Sequence, residues 1–297
     1  MKETRLHDKS VYEDVLVMRD EIRNGKHGPN SFATEIMVID DETGEVIHRG
    51  TNMTILGGRT FLLEKYFGIP YVSTKHLLLN DMMGIPHSLT QEVLMGTHQR
   101  CISSFMIGNG AANQSVPGKY YTPKDYETKL YKPSPFRCVP FNNDLSPTDQ
   151  SKYRFKKLIT IDGSDYWAYF AKKIEVNNLI LEFNNGDYTP LEEDTRPVFE
   201  NDSSHRLGGG SILSYIQFTM AIDKDEFKEY YRYTHANSLD GAGIDEFGLV
   251  LGADLADPGN SGRNELAAAE LASKFTTLLS PMQSESSRRS VLYRVYS

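Results

Sequence analysis

The apolar run Ser103 to Ile107 ends in Gly108-Asn109-Gly110, the residue types and the place at which a phosphate-binding turn would begin. A dinucleotide fingerprint needs a third glycine and a helix whose first amides face the pyrophosphate. Here Ala111, Ala112 and Asn113 follow, and then Ser115-Val116-Pro117-Gly118, which does not propagate a helix. A P-loop fails as well, because no Gly-Lys-Ser or Gly-Lys-Thr comes next. Gly208-Gly209-Gly210-Ser211 precedes an apolar run where either motif would have to follow one. Gly108 and Gly110 are therefore read as a sharp exit from a core strand, with Asn109 tolerating the left-handed region between them.

Asp254 to Glu265 spans a calcium-loop length with Asp first, Gly sixth and Glu last. Its third and fifth positions are Ala256 and Pro258, which offer no side-chain oxygen, so a polar hairpin loop is the expectation. The eight histidines are scattered, with no helical pair spaced for zinc around a glutamate. Cys101 and Cys138 are too few for a zinc site, and both are expected as buried free thiols. No Gly-x-Ser-x-Gly elbow occurs, and the carboxylates are too many for spacing to single out a catalytic pair. Tyr230, Tyr231 and Tyr233, next to His235, have the chemistry to stack on sugars, although packing within the protein or at an interface is the simpler reading. No catalytic, cofactor-binding or metal-binding residue is assigned.

The 297 residues carry 32 basic against 40 acidic side chains, a net charge of −8. The densest basic runs are Arg154-Phe155-Lys156-Lys157, Lys172-Lys173 and Arg288-Arg289, which argues against a nucleic acid or an anionic membrane as partner. No apolar run reaches the roughly 20 residues of a membrane span, and the first residues lack the apolar core of a secretion signal. Synthesis in a cytoplasm is expected.

The elements that must position these residues are mostly strands. Seventeen Tyr and 14 Phe suit half-buried sheets. Alternating or apolar runs lie at 32–40, 45–49, 101–107, 153–161, 167–174, 178–183, 211–222, 244–251, 274–278 and 290–296. Thr60 to Phe67, with Gly68 after it, predicts a short helix, and Glu265 to Ala272 predicts a helical turn from its Ala, Leu and Glu content. Ser10 to Arg23 is compatible with a helix, and Ser88-Leu89-Thr90-Gln91 resembles a capping box. The fold expected is a β-rich α+β protein: an antiparallel β-sandwich-like core with long loop insertions, a few short helices and an N-terminal arm. Residues 1–30 form the arm, and 31–297 form the body, with insertions near 69–100 and 111–151.

Four segments, in order, resemble tailed-bacteriophage virion structural proteins of the tail-collar, fibre-attachment and baseplate kind. They are Gly50 to Arg59 leading into a short helix, Ile102 to Gly110 with its Ile-Gly-Asn-Gly ending, Ile244-Asp245-Glu246-Phe247-Gly248-Leu249, and Leu271 to Thr276 with the terminal strand. The resemblance implies a structural, non-catalytic subunit of the tail, baseplate or neck, made in the host cytoplasm and resident in the virion. Its partners would be other virion proteins and copies of itself, with no cofactor. It also gives Gly108, Asn109 and Gly110 the role of a structural turn, and Glu246, Phe247 and Gly248 that of a core strand. Two rival functions remain open on the sequence: a carbohydrate- or receptor-binding module of the tail tip, and a cell-wall glycan hydrolase.

Overall fold

The structure is a computed structural model that describes residues 33–40, 44, 46–50, 52–67, 100–112, 121–174, 176–183, 212–223, 225–235, 243–257, 260–279 and 289–296. The N-terminal arm, the capping box at Ser88, nearly all of the 69–100 insertion and the acidic stretch from Asp187 to Ser204 lie outside the described residues.

Two antiparallel sheets make the body, a β-rich α+β architecture with a sandwich-like core. The smaller is five-stranded, in the order β2 (Val46–Gly50), β1 (Ala33–Asp40), β13 (Arg289–Tyr296), β10 (Ile212–Ile222), β9 (Val176–Phe183). The larger has eight strands. Its main path runs β3 (Met53–Thr54), β12 (Asn260–Leu279), β11 (Ile244–Asp257), β4 (Cys101–Gly108), β8 (Ser164–Lys173), β6 (Arg137–Pro140). Off that path, β5 (Pro133–Ser134) pairs with β4, and β7 (Tyr153–Ile161) pairs with β8. β13 thus sits between β1 and β10, so the sheet joins strands that lie far apart in the sequence.

Ile36, Val38, Phe218, Met220, Ile222 and Val291 of the smaller sheet meet Phe105, Ile107, Tyr169, Phe247, Leu249 and Phe275 of the larger in one core. The rings of Phe247 and Phe275 stack at 4.7 Å. The larger sheet has a second apolar face. Met106 and Val250, one residue out of phase with Phe105 and Leu249, join Ile55, Phe155, Phe170, Leu266 and Leu271 in a separate cluster. Burial on both faces is why β4 from Phe105 to Ile107 and β11 from Phe247 to Ala253 read as continuous runs without polar side chains.

Three helices are described. α1 (Leu56–Phe67) lies along β12, α2 (Pro147–Gln150) is a single turn, and α3 (Lys228–Thr234) packs on β6. Ser146 caps α2 by accepting from the Asp149 amide. The β7–β8 hairpin turns through Asp162 and Gly163, both at positive φ, as a two-residue turn requires.

Several expectations are corrected. Glu265 to Ala272 forms no helical turn but continuous strand within β12, because pairing with β11 outweighs the helix propensity of its alanines. The separate short strands at 244–251 and 274–278 are parts of one long hairpin. The stretch from Asp254 to Glu265 is therefore mostly ladder, leaving only 258 and 259 between the strands. Cys101 is exposed at the start of β4, whereas Cys138 is buried and burial pushes its thiol up to about 12. Within the insertion expected near 111–151, Leu130, Phe136 and Val139 reach the two cores.

Candidate functional site: a surface loop pinned by buried charge

β4 and β11 run side by side with Gly108 opposite Glu246. Beyond Gly108 the chain leaves the sheet, and its successive amides turn toward acidic side chains. Gly110 donates to Glu246 Oε1 at 2.7 Å, and Ala111 and Ala112 donate to the two oxygens of Asp245 at 3.1 and 2.9 Å. A glycine-rich exit loop that points its amides at an anion is the arrangement of a phosphate cradle. Here the anions are the chain's own carboxylates. The approach is so close that a Cβ on Gly110 would lie 2.7 Å from Glu246 Oε1 and 2.7 Å from the Lys132 amide nitrogen.

Glu246 is fully buried and also accepts from the Tyr131 amide at 2.6 Å and the Lys132 amide at 2.9 Å. Lys274, also fully buried, comes from β12 to stand 3.3 Å from Glu246 Oε2 and 3.0 Å from Glu127 Oε2. Its ammonium donates to the Lys129 carbonyl at 3.4 Å and lies 3.1 Å from the centre of the Tyr131 ring. Tyr131 in turn donates its hydroxyl to Glu127, and burial together with that hydrogen bond pushes the phenol above its ordinary range. Asp245 is pushed up too. Burial outweighs the two amides that favour its charged form.

These contacts hold one segment, residues 121–132, against the larger sheet. Its start is fixed by the Tyr121 amide donating to the Ala111 carbonyl and by Thr276 Oγ1 donating to the Tyr121 carbonyl, each at 2.8 Å. Its end is fixed by Leu130 in the core and by the Asn109 amide donating to the Lys132 carbonyl. The outward side of this segment presents Tyr121, Tyr126 and Tyr131, which are 47%, 65% and 41% exposed, together with exposed Lys124, Lys129 and Lys132.

A second buried cluster joins the two sheets. Lys172 on β8 donates to Glu226 Oε2 at 2.7 Å, to the Ala221 carbonyl at 2.9 Å and to Asp223 Oδ2 at 3.0 Å. Those three acceptors match its three protons. Glu226 accepts as well from the Tyr153 hydroxyl at 2.6 Å and the Asp223 amide at 2.8 Å. Phe227 next to it has φ 67° and ψ −37°, with the Lys228 amide donating to the Glu226 carbonyl across it. This three-residue turn costs roughly 1–3 kcal/mol of backbone strain, which burial of the whole phenyl ring, about 1.5–3 kcal/mol, offsets. The turn sends Glu226 and Phe227 into the interior together.

Of the residues singled out by sequence, Gly108, Glu246, Phe247 and Gly248 lie in the β4–β11 pairing, with Asn109 and Gly110 just beyond it. None of Gly108, Asn109 and Gly110 has a positive φ, which corrects the left-handed turn expected there: the two glycines leave room for the close approach of Lys132 and Glu246. Tyr230, Tyr231 and Tyr233 do not make a shared stacking surface. They lie on α3, where Tyr231 is buried with its ring stacked on His235 at 3.8 Å, and Tyr233 leans on Tyr166 at 4.5 Å. A helix turns successive residues away from one another, so packing within the protein, the simpler reading, follows from their spacing. Sequence reading missed Lys274, Glu127, Lys172 and Glu226. The available signal was their setting: Lys274 and Lys172 each adjoin residues of an apolar strand. Among the described residues no group of three or more His, Cys, Asp or Glu side chains is arranged to hold a metal, and no helix is long and apolar enough to cross a membrane.

A family model described as a family of unknown function, DUF7208, matches residues 51–286. The chain belongs to this family. No curated protein and no solved structure matches it. The part matched to DUF7208 contains β3, α1, β4, β11 and β12, and with them every residue of the pinned loop and of both buried clusters.

Proposed function

We propose that this DUF7208 protein is a structural, non-catalytic subunit of a tailed-bacteriophage particle, assembling in the tail, baseplate or neck with copies of itself or with other virion proteins. One observation carries the reading. The segments that resemble virion proteins are far apart in sequence but adjoin in space: β3 pairs with β12 at Ser273 and Lys274, β12 with β11, and β11 with β4. Apart from the terminal strand, β13 of the smaller sheet, they form one continuous piece of sheet, as a shared architectural unit would.

The chemistry of the charged groups favours the same reading. Glu246, Glu226 and Lys172 direct their polar atoms at partners within the chain, which suits clamps better than general acids or bases. The carbohydrate-binding alternative loses support with Tyr231 in the core.

The test is mass spectrometry with cross-linking on purified particles of the phage that encodes the chain. The expected result is the chain at a fixed copy number per particle, cross-linked to itself or to neighbouring virion proteins. Absence from washed particles would overturn the proposal, and reproducible clearing of cell-wall glycan in a zymogram would overturn its non-catalytic part.

A further inference from the structure

The segment 121–132 is unusual for an exposed loop. Two fully buried charges, Glu246 and Lys274, hold it in place, and burying charge is costly unless every group is paired. Such a device fixes the outer surface as firmly as the inner one. A pre-organised surface loses less freedom when a partner binds.

What that surface offers is specific. Tyr121, Tyr126 and Tyr131 are exposed within a few residues of one another, with the Tyr121 and Tyr131 rings 5.7 Å apart. Exposed tyrosine supplies large contact area and a hydroxyl at low cost in conformational freedom. Lys124, Lys129 and Lys132 are interleaved with them. Lys124 lies over the Tyr126 ring at 5.7 Å, and neither Lys129 nor Lys132 has a side-chain ion pair among the described residues. On a chain of net charge −8, this is a local face of aromatic rings and ammonium groups.

The complement is present in the same sequence. Between β9 and β10, residues 187–202 hold Asp187, Glu192, Glu193, Asp194, Glu200 and Asp202 against the single cation Arg196, together with Leu191, Val198 and Phe199. Carboxylates suit the lysines, and the apolar side chains suit the tyrosine rings. A face on one copy that receives a different segment of the next is a heterologous contact, which builds rings or open stacks. We propose that the Tyr and Lys face of residues 121–132 is the docking site for the carboxylate-rich segment 187–202 of a second copy of this chain. The inference rests on the assembly role proposed above and names its partner. Nucleic acid, which also pairs with lysine and stacks on tyrosine, is disfavoured by the overall negative charge and by Asp125 and Glu127 within the loop.

The test is sedimentation velocity and native mass spectrometry on the full chain across protein and salt concentration. The wild type self-associates and dissociates as salt rises. Lys129→Glu with Lys132→Glu weakens association by roughly tenfold or more, the equivalent of at least about 1.4 kcal/mol. Glu192→Lys with Glu193→Lys does the same, and mixing the two variants restores it. Tyr126→Ala, at the most exposed of the three rings, weakens association with the unfolding midpoint unchanged, which separates docking from folding. Cross-links between lysines of 121–132 and acids of 187–202 join light to heavy chains in an isotopically mixed sample. A chain that stays monomeric, variants that associate like wild type, cross-links found only within one chain, or saturable binding of a single-stranded DNA oligonucleotide to this face would each overturn the inference. A monomer that is nonetheless found in washed particles would sink the docking site alone and leave the assembly role standing.

Discussion

Lys172 and Lys274 are buried lysines on strands of the same sheet, and they hold different things. Lys172 reaches from β8 to the end of β10 and closes the sandwich, with three oxygen acceptors between 2.7 and 3.0 Å. Lys274 reaches outward from β12 to a surface loop. Its oxygen contacts are longer, from 3.0 to 3.4 Å, and part of its charge rests on the face of Tyr131. The first cluster joins two parts of the core, so its energy goes into whether the protein is folded. The second joins core to periphery, so its energy goes into how one patch of surface is held. Buried charge thus serves overall stability in one place and local order in the other.

The largest expected effect tests the first half of that contrast. Glu226→Ala leaves Lys172 and the Tyr153 hydroxyl buried without their shared acceptor, and global stability falls by about 3–5 kcal/mol in urea unfolding. Glu246→Ala should cost less, about 2–3 kcal/mol, because the surface loop it pins can open and give Lys274 and the freed amides to water. The sharper readout is hydrogen exchange. Protection should fall at the Gly110, Tyr131 and Lys132 amides while the β7–β8 ladder keeps its own, and a uniform loss across both regions would erase the distinction between the clusters. Gly110→Ala places a methyl group against Glu246 and Lys132 and is expected to cost about 1–3 kcal/mol, again concentrated in the loop.

A smaller effect follows from pH. Burial pushes the Asp144 carboxyl up, but hydrogen bonds from Lys156 and Tyr169 outweigh it, leaving its pKa below the ordinary 3.8. A carboxyl depressed by folding stabilises the protein above its unfolded pKa, and that contribution is lost as pH falls through the folded value. The stability difference between wild type and Asp144→Asn should therefore be full at neutral pH and close as pH drops below 3.8. Smallest of all, Asp125→Ala removes the exposed 3.1 Å pair with Arg59. Calorimetry should show a loss of no more than about 1 kcal/mol, since that pair belongs to neither cluster.

The strand-rich class was legible because period-two patterns and turn residues are local. Ser290 to Tyr296 alternates cleanly and forms β13, and Asp162-Gly163 marks its hairpin without help from the rest of the chain. Local signals failed where pairing decides. Glu265 to Ala272 has the composition of a helix, yet its partner strand lies just upstream in β11. The pinned loop was half legible. Gly108 and Gly110 announce a turn by residue type, but the carboxylate that meets the Gly110 amide lies 136 residues further on. Lys274 looks like an ordinary strand lysine until the second apolar face of its sheet is known, since only then does its position turn from solvent to interior.

The start of α1 has a consequence for the edge of that sheet. A Cβ on Gly57 would lie 2.4 Å from the Leu271 carbonyl oxygen, and one on Gly58 would lie 2.1 Å from that of Ala272. With the Ile55 amide donating to Ala272, the helix start lies directly over the outer rim of β12. A bare rim on a long strand invites annealing with any passing strand. Two side chains small enough to be absent let the helix act as a lid on that rim, which keeps a foreign strand from adding to β12 at Leu271 and Ala272.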